Sequence, residues 1–97
     1  MKTTGIELIS KEREEQISKH HRTIEKDVEN NSYKQLAGAA HGLLAKDFDE
    51  YPPDYFEVIP PGWNEESYKK MFDKPYKERL IIAGALIAAE LDRLENL

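Results

Sequence analysis

Leu80-Ile81-Ile82-Ala83-Gly84-Ala85-Leu86-Ile87-Ala88-Ala89 is the stretch whose reading decides the fold. Every residue in it is apolar or glycine. Ten residues are half of the ~20 that a bilayer span needs, so no membrane span is predicted. A helix that is apolar all round belongs at the centre of a domain, buried by its neighbours. Asp73 as cap and Pro75 in the first turn start this helix, which runs from about Pro75 to Leu94. Glu90, Asp92, Arg93 and Glu95 return polarity to its last turns and carry them toward solvent.

Working outward from it, Asn64 caps a short helix through about Phe72. Residues 46–64 hold Pro52-Pro53, Pro60-Pro61 and Gly62, which suppress helix and favour extended backbone. The same segment carries Phe48, Tyr51, Tyr55, Phe56 and Trp63. It reads as a long ordered loop packed on the helices. Ser32 and Gln35 form a capping box for a medium helix to about Ala45, with Tyr33, Leu36, Ala37, Ala40 and Leu44 at helical spacing. Residues 23–31 read as a polar connection. Thr4 with Glu7 three residues on forms another capping box, and opens a helix to about His21. Its inner face runs through Ile6, Ile9 and Ile17 and takes in Arg13, Gln16 and His20. The expectation is an all-α domain over residues 1–97, a small bundle of about four helices with a long loop rich in proline and aromatics.

A chain of 97 residues suits one domain and one modest core. With no cysteine, disulfides and zinc-thiolate sites are excluded, and a reducing cytosol is the expected setting. The N-terminus lacks the apolar stretch of a signal peptide. Net charge is −5 with lysine and arginine scattered, so no basic stripe points to nucleic acid.

Five constellations bear on function. Glu12 and Glu15, one helical turn apart, suit a hard cation such as the magnesium of all-helical nucleotide pyrophosphatases. The partner pattern of Glu then Asp three residues on does not occur, and Glu90 and Asp92 point to different faces. His20, His21, Glu25 and Asp27 are of metal-ligating type, though a polar helix end has the same composition. No metal or other cofactor is assigned. Arg13 with Gln16 on an inner helix face can hold an anion through the guanidinium fork; the plainer reading is an internal pair with Asp27 or Glu90. Together Arg13, Gln16, His20, Glu25 and Asp27 make the candidate ligand set, for a nucleotide or other anion. Tyr51, Tyr55, Phe56 and Trp63 lie in or beside a stretch of acids without a base from 47 to 57, the material of a protein-binding loop or of lids on the core. Gly84 with Ala88, and Ala85 with Ala89, permit close helix crossing, within the chain or across a homodimer seam. Nucleophile–base pairs, phosphate loops and dinucleotide fingerprints are absent from the sequence.

Thr4-Gly5-Ile6-Glu7-Leu8-Ile9, Glu12-Arg13, Gln16-Ile17, Leu36-Ala37, Ala39-Ala40, and Ala83-Gly84-Ala85-Leu86-Ile87-Ala88-Ala89-Glu90 with Asp92-Arg93-Leu94 carry a resemblance. In order and spacing the chain resembles a family of small proteins of tailed phages, prophages and other mobile elements. Members carry Glu-Gly-Trp-Thr after the first helix, where this chain has His20-His21-Arg22-Thr23. Glu25 and Asp27 match the stretch that follows, whereas Lys26 and Val28 replace a His and an Asp. The resemblance implies a helical protein in a mobile-element setting and brings no activity. The leading expectation is a non-enzymatic accessory protein that binds another protein; the alternatives are a small-molecule binding module and a metal-dependent nucleotide hydrolase.

Overall fold

The computed structural model describes residues 3–20 and 23–97. Among the described residues six helices follow one another: α1 (Gly5–Ser18), α2 (Ile24–Asn30), α3 (Gln35–Phe48), α4 (Tyr55–Val58), α5 (Glu65–Phe72) and α6 (Tyr76–Glu95). No strand occurs among the described residues. The all-α expectation holds, with six helices rather than about four.

The two extra helices come from segments read as loop. Thr23 accepts from the Lys26 backbone N–H and starts α2, so residues 23–31 are not a bare connection. Within the proline-rich segment, Asp54 and Glu57 cap each other's backbone and hold the single turn of α4. That segment is also shorter than expected, because α3 continues past Ala45 to Phe48.

Capping signals were right where a side chain meets its own turn. Thr4 accepts from Glu7 N–H at 3.2 Å and Asn64 accepts from Ser67 N–H at 2.9 Å. Two were wrong. Asp73 closes α5, and Pro75 holds the N-cap position of α6. Ser32 does not cap α3; Lys34, at φ 64°, takes that position in the left-handed region. The Gln35 amide turns back instead, accepting from Tyr33 N–H at 2.7 Å and donating to the Asn30 carbonyl at 3.2 Å. It thereby braces the end of α2 against the start of α3.

α6 is the hub, packing against α1, α2, α3 and α5. Leu36, Ala39, Ala40 and Leu43 of α3 meet Ile82, Ala83, Leu86 and Ala89 of α6 in the core, which Tyr68 and Phe72 of α5 complete. Arg79 fastens the C-terminal end of α3 to the start of α6: it donates to the Leu43 and Lys74 carbonyls and pairs with Asp47. Gly84 is spent within the chain. A Cβ there would stand 2.6 Å from Ile9 Cδ1, so α1 crosses α6 at this glycine. The expectation that α6 is buried all round is corrected, since Leu80, Ile87, Leu91 and Leu94 are exposed. Ile6 and Tyr33, assigned inward positions, are also exposed. No helix among the described residues is long and apolar enough to cross a membrane.

Candidate functional site

α1 has few large apolar residues on its inner side, and what it buries is polar: Arg13 and Gln16. A buried guanidinium needs carboxylate partners. Arg13 meets Asp27 at 3.8 Å and Asp92 at 3.4 Å. Asp27, on α2, is itself buried and accepts from Asn31 Nδ2 at 2.9 Å. Asn31 in turn accepts from Trp63 Nε1 at 2.9 Å. This relay ties α1, α2, α6 and the Pro60–Trp63 turn into one polar unit. Glu90 pairs with Arg93 at 2.6 Å, so the internal partner of Arg13 is Asp27 together with Asp92, not Glu90. The Glu90 carboxylate raises the pKa of Arg93 through that hydrogen bond.

α1 and α5 both pack on α6 but not on each other. The space between them is one lobe of a groove; a second lobe, bordered by α2 and the 61–64 turn, shares His20 and Ser67 with it. One lobe, about 490 Å³, is bordered by Glu12, Glu15 and Gln16 of α1, faces Lys70 and Lys74, and is floored by Ile82. The other, about 500 Å³, lies among Lys26, Asp27, Asn30, Asn31 and Trp63. Each volume is within the usual span of small-molecule sites. Gln16 is 3% exposed, and its Oε1 has no hydrogen-bond donor. Burial, and then the neighbouring Glu15 carboxylate, push the Glu12 carboxyl above the usual carboxylate range, while the Gln16 amide and His20 and Lys74 pull it back.

Of the ligand set read from the sequence, the fold thus brings Gln16, His20 and Asp27 to the groove. Arg13 lies beneath it in the charge network, and Glu25 is exposed and lines neither lobe. His21 lies outside the described residues. The lysines and Trp63 that border the groove are residues the sequence reading did not assign to this site. Lys70 and Lys74 carried no signal beyond scattered charge. Glu12 and Glu15 do share one wall, but lysines face them, and Asp92 and Glu90 are engaged by Arg13 and Arg93. Among the described residues no three His, Cys, Asp or Glu gather as metal ligands.

The loop aromatics divide into two sets. Tyr55 donates to Glu65 Oε1 at 2.8 Å and lies beside the Lys69 ammonium, and Trp63 is held by Asn31 and stands edge-on to Tyr68. Tyr51 and Phe56 are 85% and 61% exposed. Phe48 joins them on the outside, edge-on to Tyr76. No family model, curated protein or solved structure matches the chain.

Proposed function

We propose that this chain is a non-enzymatic accessory protein, of the kind carried by phages and prophages, that works by binding another protein through its 47–57 edge. The observation that carries the reading is the exposure of Tyr51 and Phe56 on a segment that is otherwise anchored. The capping box of Asp54 and Glu57 and the Tyr55–Glu65 bond hold the backbone around Phe56, so this aromatic is presented from a fixed turn, with Tyr51 just before it. Rigid aromatics lose little conformational freedom on binding and serve as anchors at interface centres. Asp49, Glu50, Asp54 and Glu57 flank them in the sequence without a base from 47 to 57, while Asp47 is taken up by Arg79. The matching partner surface is an apolar pocket rimmed by lysine and arginine, and the acids would speed its encounter. The resemblance described above supports the mobile-element setting. A photo-crosslinking residue at position 51 tests this in bacterial cells. One discrete adduct is expected, lost on Phe56→Ser. An adduct pattern indistinguishable from that of a probe at exposed Glu66 would refute it.

A second reading is a small-molecule site in the groove, favoured by the buried Gln16 oxygen that lacks a donor. Lys26, Lys70 and Lys74 share the groove with Glu12 and Glu15, Asp27 being engaged by Arg13, so both signs of charge are present. Such a set suits a polar molecule bearing both charges better than a bare anion. Thermal shifts with nucleotides, zwitterionic metabolites and divalent metals test it, because a specific ligand raises apparent stability. No shift with any of them would remove it.

A further inference from the structure

We infer that the lobe between α1 and α5 takes a small zwitterion with an apolar side chain, its ammonium held by Glu12 and Gln16 and its carboxylate by Lys70 and Lys74. The inference rests on the small-molecule reading of the groove and gives that site its ligand class. The two walls carry opposite charge: Glu12 and Glu15 come from α1, Lys70 and Lys74 from α5 and the turn after it. Opposite charges close on each other wherever they come within reach, yet among the described residues no ion pair joins these walls. Glu15 pairs with Lys19 of its own helix at 3.9 Å, and Lys74 attracts Glu12 only across the gap. Both lysines are exposed at the edge of the lobe. A molecule carrying both charges spans that gap and satisfies the two walls at once.

The acid wall carries a second, independent signal. The buried Gln16 side chain lies close enough to Glu12 to act on its carboxyl, and its Oε1 has no donor. Leaving a buried acceptor without a donor is costly. An ammonium settled at Glu12 brings N–H groups to this oxygen once the amide turns toward it. A phosphate or a nucleotide brings no positive charge to this wall and meets the Glu12 and Glu15 carboxylates. A bare amine or a divalent cation suits the acids but is opposed by the two lysines. Between the walls the lining is apolar, with Met71 half-buried and Ile82 buried as the floor. An aliphatic side chain covers that floor. A free amino acid such as leucine and a dipeptide such as leucyl-leucine share this chemistry and differ in how far apart their charges stand. The volume of about 490 Å³ admits either.

Titrating the isotope-labelled chain with leucine and with leucyl-leucine tests the inference, read from the NMR signal of the Gln16 side-chain amide. At least one of them should move that signal saturably, and the tighter of the two identifies the source. The N-acetyl form of that ligand lacks the ammonium and its amide form lacks the carboxylate; each should bind about three- to tenfold more weakly, the effect of losing one charge-assisted contact near solvent. Glu12→Gln should erase the preference over the N-acetyl form, and Lys74→Gln the preference over the amide form. Neither side chain is fully buried, so far-UV ellipticity should not change in these variants. A Gln16 signal unmoved by both zwitterions would overturn the inference, as would capped forms that bind as well as the parent. Nucleotides separate it from the reading beneath it. If they move the Gln16 signal where zwitterions do not, the groove remains a site and this ligand class is wrong; if nothing moves it, the small-molecule reading falls as well.

Discussion

Gly84→Ala tests the α1–α6 crossing on which the architecture rests. An alanine Cβ at this position would stand 2.6 Å from Ile9 Cδ1 and 2.9 Å from Ile9 Cγ1. The Cδ1 atom can swing away by itself, but Cγ1 moves only if Ile9 turns about Cα–Cβ, and a β-branched residue in a helix has one strongly preferred rotamer there, so relief comes from leaving that rotamer or from shifting α1. Overpacking of this kind costs about 1–3 kcal/mol. Against it, replacing glycine by alanine inside a helix returns about 1 kcal/mol. The net change should fall between zero and about 2 kcal/mol of destabilisation. Truncating Ile9 removes the obstacle and reverses the sign. In an Ile9→Ala background, Gly84→Ala should stabilise by about 1 kcal/mol, the helix-propensity gain alone. Ile9→Ala by itself should destabilise, so the informative quantity is the coupling in the double-mutant cycle, about 1–3 kcal/mol. Urea unfolding followed by far-UV ellipticity and by the fluorescence of Trp63 gives all four corners, provided the m-values agree. Should Gly84→Ala stabilise the wild-type chain by the full helix gain, with no coupling to Ile9, the close crossing does not exist and the placement of α1 is wrong.

Three further outcomes are expected. Asp27→Ala leaves the Arg13 guanidinium buried with one carboxylate partner fewer and breaks the relay through Asn31 to Trp63; it should cost about 3 kcal/mol and shift Trp63 emission to longer wavelength, and an unshifted spectrum would show that the relay does not hold the indole. For Asp47, the hydrogen bond from Arg79 holds the carboxyl below its ordinary 3.8; its contribution is present above that value and lost as pH falls further, so Asp47→Asn should lower stability at neutral pH and leave a flatter acid limb, and parallel wild-type and variant curves below pH 4 would contradict the pairing. Glu12 behaves in the opposite sense, its folded pKa raised above 4.5 by burial and by Glu15; the protonated form is favoured in the fold and its contribution is lost as pH rises, so Glu12→Gln should raise the melting temperature at pH 7 and have no effect well below 4.5, and a lowered melting temperature at pH 7 would mean that attraction to Lys74 and His20 outweighs desolvation.

The sequence by itself determined the helical class, the central position of α6, the caps at Thr4 and Asn64, and the burial of Arg13 and Gln16. Each is a short-range signal: the period of apolar residues, or a side chain reaching the backbone three residues away. α2 escaped because its seven residues mix Ile24 and Val28 with four charged positions, too short a stretch for a period to show. The α3 cap escaped because the Gln35 amide is recruited by the end of α2, a contact that competes with its local role. Tertiary structure alone decided the rest. It chose Asp27 and Asp92 over Glu90 as partners of Arg13, one of them across 79 positions of chain. It also spent Gly84 on Ile9, set lysines opposite Glu12 and Glu15, and left Leu80, Ile87, Leu91 and Leu94 partly exposed. A residue's type fixes what chemistry it can offer, but which partner meets it depends on how helices cross, and crossing is settled by packing among segments far apart in the chain.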